Sequence, residues 1–291
     1  METIYWLQQF ASPTLDSVAL AITNLGSEPA YIAILLVVYL GIDPRIGQRV
    51  GIILLCSLYL NFHLKGIFAT PRPFELDPGV ARSAAAVETG MGWGFPSGHA
   101  QGSATLWGAL ALYLGRVWFW VIAVLLAVTI ALTRIYLGVH VPIDVIAGLA
   151  VAVVAIAVGY GIDRWLSAAR VSPLWLVVVL GIGAPYALHM LLPVPESEVM
   201  MGALAAFITG PLLVPYQGDR PLWVRVSVVL LGVLLTFGVL VGSSLLLPEE
   251  LKRNATGGFV RYLVIGYTGL ALTPWLSQVV HLTPAPERAA L

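Results

Sequence analysis

A chain of 291 residues in which 59% are hydrophobic and only 10% charged is not an ordinary soluble globule, where about a quarter of residues carry charge. Its formal net charge is zero and no basic block stands out, so nothing in the composition points to nucleic acid or to an acidic protein partner. The single cysteine, Cys56, lies in an apolar run, which excludes an intrachain disulfide and gives no sign of a metal site; it reads as a packed thiol.

The N-terminus carries Glu2 and no basic stretch ahead of an apolar core, which does not resemble a cleavable signal peptide. From Ile4 to Leu25 the residues Gln8, Gln9, Pro13 and Asp16 interrupt the apolar ones, a pattern suited to a helix lying at a membrane interface. A spanning helix needs roughly 20 mostly apolar residues. Nine stretches come near that length: Glu28 to Ile42, Val50 to Phe68, His99 to Leu114, Val117 to Leu137, Pro142 to Ile162, Pro173 to Leu192, Val199 to Pro215, Pro221 to Leu247 and Phe259 to Leu282. The expected fold is therefore an all-α, polytopic transmembrane helical bundle of about nine spans. Its divisions are an interfacial segment 1–27, a core 28–170 and a C-terminal extension 171–291 whose four spans have no assigned role. The longest polar interruption, Pro71 to Pro96, exceeds a simple helix connection, and long loops in compact domains are usually functional or disordered.

With nine spans, Arg45, Arg49, Arg116, Arg164, Arg170, Arg220, Arg225 and the tail residue Arg288 fall on one face, which the positive-inside tendency makes cytoplasmic. On the other face, four helix ends meet water at one depth, and three short segments gather there. They are Lys65 to Pro73 (KGIFATPRP), Pro96 to His99 (PSGH) and Thr133 to Asp144 (TRIYLGVHVPID). A phosphoryl group in transfer spreads negative charge over its equatorial oxygens and needs fixed cations and N–H donors around it. Lys65, Arg72 and Arg134 can supply the cations, and arginine adds a planar fork that matches two phosphate oxygens. Ser97 reads as the N-cap of the third span and Gly98 lets backbone approach a ligand, so that helix start is an anion site. Pro142 suits the first position of the fifth span, which puts Asp144 in its first turn and His140 just before it. Asp144 can then fix the His140 tautomer and leave the other ring nitrogen free to attack phosphorus, with His99 as proton donor to the leaving oxygen. Each residue alone has an ordinary explanation as a snorkelling anchor, an interfacial histidine or a helix cap. Their joint occurrence on one face does not.

These segments resemble the type-2 phosphatidic acid phosphatase superfamily, whose motifs are Lys-x6-Arg-Pro, Pro-Ser-Gly-His and Ser-Arg-x5-His-x3-Asp. Lys65 with Arg72-Pro73, Pro96-Ser97-Gly98-His99, and Thr133-Arg134 with His140 and Asp144 match every spacing; the sole departure is Thr133 for serine. The pattern covers roughly Glu28 to Ile162. The resemblance implies that Lys65, Arg72 and Arg134 bind phosphate, that Ser97 and Gly98 help cradle it, and that His99 is the acid, His140 the nucleophile and Asp144 its orienting partner. It also implies a membrane phosphatase with its catalytic core in the first five spans, acting on a lipid phosphate or polyprenyl diphosphate in the bilayer without metal or other cofactor. The site is expected on the non-cytoplasmic face. Glu88-Thr89-Gly90 resembles glucose-6-phosphatase of the same superfamily, so a sugar phosphatase stays open, as do a lipid phosphotransferase and a transporter with a degenerate site. His189 reads as a packed or interhelical histidine, and Trp93 as a loop residue that could touch substrate.

Overall fold

The computed structural model describes residues 1–168, 173–218 and 220–283, and these contain helices and connections with no strand. Arg170 and Arg288, part of the expected cytoplasmic charge, lie outside the described residues. In chain order the helices are α1 Glu2–Gln8, α2 Pro13–Thr23, α3 Glu28–Leu36, α4 Pro44–Phe68, α5 Pro73–Leu76, α6 Ala84–Glu88, α7 Gly98–Leu114 and α8 Val117–Tyr136. They continue with α9 Pro142–Ala168, α10 Leu174–Leu191, α11 Ser197–Leu213, α12 Leu222–Leu246, α13 Glu249–Arg253, α14 Ala255–Tyr267 and α15 Thr273–Val279. Wider π-helical turns extend α3 through Val37–Ile42 and join α14 to α15 through Thr268–Leu272.

Helix is present in all nine stretches expected to be helical. Among the described residues, five segments are long and apolar enough to cross a bilayer: Pro44–Leu76, α8, α9, α10 and α12. A sixth arises if Pro13–Gly26 and Glu28–Ile42, bent by 57° at their junction, count as one. Two of the remaining stretches, α7 and α11, have 17 residues each. At about 1.5 Å per residue such helices reach some 25 Å, short of a hydrocarbon core about 30 Å thick.

The described residues gather into two compact units, Met1–Tyr31 with Cys56–Trp165, and Ile32–Leu55 with Leu166–Leu291. In the first unit α7 packs along α8, and α1 and α2 pack across the site-bearing end of α8. Ile4 of α1 is fully buried among Val80, Ala100, Ala131, Ile135 and Val145, so the N-terminal segment is built into this core rather than only resting at an interface. Polar contacts tie it to the long loop: Arg82 bonds both carboxylate oxygens of Asp16 at 3.0 and 2.9 Å, and Gln8 donates to the carbonyls of Val80 and Tyr136, both at 2.8 Å. That loop is structured, with α5, a 3-10 turn at Pro78–Val80 and α6 in sequence. Beneath it, Asn61 of α4 and Gln101 of α7 bond at 2.7 Å, and Gln101 reaches the Ser57 carbonyl at 2.7 Å. These buried amides satisfy each other where an unpaired one would be costly.

In the second unit α11 packs between α10 and α14. His189 bonds Ser197 at 2.8 Å and the Ala255 carbonyl at 3.0 Å, which joins three helices and fits the interhelical role expected of it. Tyr39 and Tyr216 stack with ring centres 6.3 Å apart, and Tyr216 donates to the Leu40 carbonyl at 2.8 Å. Cys56 is exposed on the outside of α4, which corrects its reading as a packed thiol; the outward face of a membrane helix is as apolar as a core, so hydropathy could not separate the two.

Two glycines set the geometry at the site end. Gly138 takes φ of +76° in the turn that closes α8, and an added Cβ would meet the Val80 carbonyl oxygen at 2.0 Å. Gly148 lets α9 approach the start of α7, where a Cβ would lie 2.6 Å from the Ser97 carbonyl oxygen. Since that neighbour is backbone, Gly148→Ala should destabilise the protein by about 1–3 kcal/mol, read as a lower melting temperature in detergent. An unchanged melting temperature would contradict the close approach.

Candidate active site

Five local structures deliver the predicted residues to one end of the first unit. Lys65 stands in the last turn of α4, Arg72 caps α5, Ser97 caps α7 and Arg134 lies in the last turn of α8. Ser97 accepts from the Ala100 amide at 3.4 Å, and its own amide donates to the Asp144 carbonyl at 2.9 Å, which couples the starts of α7 and α9. α9 begins at Pro142 and carries Asp144 in its first turn. Apart from Gly98 and His99, which are partly exposed, these residues are buried, Arg134 completely.

His140 is the hub. Its Nδ1 lies 3.1 Å from Asp144 Oδ2 and its Nε2 lies 2.9 Å from Arg72 Nη1. A guanidinium can only donate and a carboxylate can only accept, so both contacts are satisfied by one state: proton on Nδ1, lone pair on Nε2. Burial foremost, then the positive charges of Arg72, Arg134 and Lys65 and the neighbouring His99, hold the His140 imidazole well below its ordinary range. It is therefore neutral at neutral pH and stays so into acid.

The cations have protein partners as well. Arg72 donates from Nε to the Gly92 carbonyl at 2.7 Å, from Nη2 to the Met91 carbonyl at 3.0 Å and from Nη1 to the Val139 carbonyl at 3.1 Å. Lys65 donates to the carbonyls of Trp93 and Gly94. The segment Met91–Gly94 is thus held by its backbone against two of the predicted phosphate ligands, while the Met91 and Trp93 side chains are exposed. Gly98 faces Asn61, whose Oδ1 would lie 3.1 Å from an added Cβ, and Lys65 Cε would lie 3.9 Å away. Thr133 donates to the Ile130 carbonyl within its own helix at 2.6 Å, a bond a serine could equally make.

Three contributors escaped sequence reasoning. Arg134 Nη1 donates to Thr23 Oγ1 at 2.8 Å and Thr89 Oγ1 at 2.9 Å, and Nη2 donates to the Thr89 carbonyl at 2.9 Å. Asn61 reaches the Pro96 carbonyl at 3.4 Å under the Pro-Ser-Gly-His turn. Thr89 left a trace, in the Glu88-Thr89-Gly90 triplet; Thr23 and Asn61 left none.

The chain matches two family models, "PAP2 superfamily" over residues 48–167 and "PAP2 superfamily phosphatase, transmembrane extension" over residues 199–285. The chain belongs to the PAP2 superfamily. Among curated PAP2 relatives, sphingosine-1-phosphate phosphatase 2 of Mus musculus is 28% identical, the match covering 53% of this chain and 46% of the relative. Lipid phosphate phosphatase delta of Arabidopsis thaliana is 26% identical over 70% of this chain and 53% of the relative. Undecaprenyl-diphosphatase of Sulfolobus acidocaldarius is 30% identical over 46% of this chain and 64% of the relative. The chain thus spans about half to somewhat under two thirds of the length of these PAP2 relatives. No solved structure gave a significant match.

The tautomer is open to direct measurement. In nitrogen-15 histidine spectra, the His140 signal should show the Nδ1–H neutral form at pH 6.5, the ordinary midpoint of an imidazole being about that value. Asp144→Asn should give a mixture of tautomers. A His140 already cationic at that pH would contradict the assignment.

Proposed function

We propose that the protein is a membrane phosphatase that removes phosphate from a lipid phosphate or polyprenyl diphosphate through a phosphohistidine on His140. The observation that carries this is the single protonation state imposed on His140 by Asp144 and Arg72, inside a ring of buried cations. As phosphorus approaches, Arg72 Nη1 transfers its hydrogen bond from Nε2 to a phosphate oxygen. The Nε2 lone pair then forms the N–P bond while the P–O bond to the leaving group breaks, and that oxygen takes a proton from the His99 imidazolium. Asp144 stabilises the positive charge left on the phosphorylated ring. In the second step water attacks phosphorus and gives its proton to His99; the N–P bond breaks back to Nε2 and phosphate leaves. Lys65, Arg72 and Arg134 lie on the developing charge, where preorganised donors lower the barrier most. No metal or cofactor enters this scheme.

Substrate class is supported by two things. The residues sit at the ends of apolar helices, where a lipid presents its headgroup, and the matching relatives are named for sphingosine-1-phosphate, lipid phosphate and undecaprenyl diphosphate. In keeping with this, we read the chain as nine spans, the shorter helices included, with an N-terminal segment 1–27, a catalytic core 28–170 and an extension 171–291. The site then lies on the non-cytoplasmic face, which the arginines at the opposite helix ends favour.

Purified protein should release phosphate from a panel of lipid phosphates in preference to glucose 6-phosphate, and His140→Ala should reduce turnover by on the order of a thousandfold or more. Preference for the sugar would overturn the lipid assignment, and a fully active His140→Ala would end the mechanism. The low pKa of His140 also fixes a sign: attack needs the neutral ring, so the acid-side limb of kcat/KM should fall below the ordinary imidazole midpoint of about 6.5. An acid limb at or above that value would count against His140 as nucleophile.

A further inference from the structure

The turn from Thr23 to Gly26 contributes to this site although it lies outside residues 48–167, the stretch that matches the PAP2 family model. Thr23 closes α2 and is fully buried, and its hydroxyl accepts from Arg134 Nη1 at 2.8 Å. With Thr89 taking the second bond from Nη1 and the bond from Nη2, both terminal nitrogens of the guanidinium are fixed to threonine oxygens. Arg134 Nε is buried and has no partner among the described residues, so one charged donor is held in a set orientation and left to a ligand. Three residues on, Gly26 closes against the other side of the site: a Cβ there would lie 3.2 Å from the His99 ring and 3.3 Å from Ile130. One short turn therefore touches both a predicted phosphate ligand and the predicted acid.

We infer that the Thr23–Gly26 turn is a positioning wall for the phosphate site, Thr23 fixing the Arg134 guanidinium on the bound anion and Gly26 leaving the room that the His99 ring occupies. The inference rests on the phosphatase reading for its account of rate, and on anion binding alone for its first test. Replacing Thr23 by valine removes an acceptor from a charged donor while keeping shape, whereas serine keeps the hydroxyl. A purely structural threonine would change melting temperature and the active fraction but not the affinity of the molecules that remain folded.

The test is calorimetric titration of the purified full chain with orthovanadate, a phosphate mimic, alongside steady-state kinetics. Thr23→Val should weaken vanadate binding by about tenfold and raise KM more than it lowers kcat, with Thr23→Ser close to the unmutated protein. Equal vanadate affinity in Thr23→Val and the unmutated protein would overturn the role of Thr23. Should Thr23→Val fail to fold, Gly26→Ala tests the same turn at His99. There, kcat for an alkyl phosphate, whose leaving oxygen needs the proton, should fall several-fold while p-nitrophenyl phosphate is spared; equal loss on both, or no loss, would overturn the wall. Unmutated protein that binds vanadate but hydrolyses no phosphoester would sink the enzymatic reading and leave the Thr23 clamp standing.

Discussion

Lys65, Arg72 and Arg134 are buried at one end of a helical unit, within electrostatic reach of one another; the Asp144 carboxylate acts on Lys65 and Arg72, and that of Glu75 on Arg72. Like charges so placed repel, and burial removes the water that would screen them. The first unit answers that strain with directed acceptors: carbonyls at Met91, Gly92, Trp93 and Gly94, and hydroxyls at Thr23 and Thr89. Hydrogen bonds of this kind satisfy the donors without cancelling the charge. The site stays net positive, as the proposed binding of a tetrahedral anion requires.

The same arrangement defines the state of the histidine at its centre. Buried, and surrounded by cations, His140 cannot readily become one, and it is held neutral with Nδ1–H toward Asp144 and its lone pair toward Arg72. The helices serve this geometry. α8 and α9 are joined by a tight turn through Gly138, α9 closes on the cap of α7 at Gly148, and the Ser97 amide bonds the Asp144 carbonyl. Three separated stretches of chain thereby share one frame, and movement of any one of them would shift the others.

Much of this frame was legible in the sequence because its parts are local. Ser97 as a cap, Pro142 as a first helical residue and Asp144 in the first turn follow from rules that act over three or four residues. The helical stretches were legible because hydropathy is a windowed quantity. Hydropathy does not report how far a helix reaches or what covers it. α7 is apolar partly because its small residues, Ala100, Gly102, Ser103, Gly108 and Ala109, are buried against other helices, and at 17 residues it is shorter than the five long segments. What escaped altogether depends on distant pairing: Thr23 meets Arg134 across 111 residues and Asn61 meets Gln101 across 40. No spacing rule connects such positions, and a threonine at a helix end has no feature that marks it as the partner of a buried arginine.

An experimentally determined structure of the protein with orthovanadate tests the central claim most directly. Vanadium should be bonded to Nε2 of His140, with Nδ1 still toward Asp144 and Lys65, Arg72 and Arg134 on the vanadate oxygens. Vanadate bonded to His99, or bound with none of these cations in contact, would contradict it.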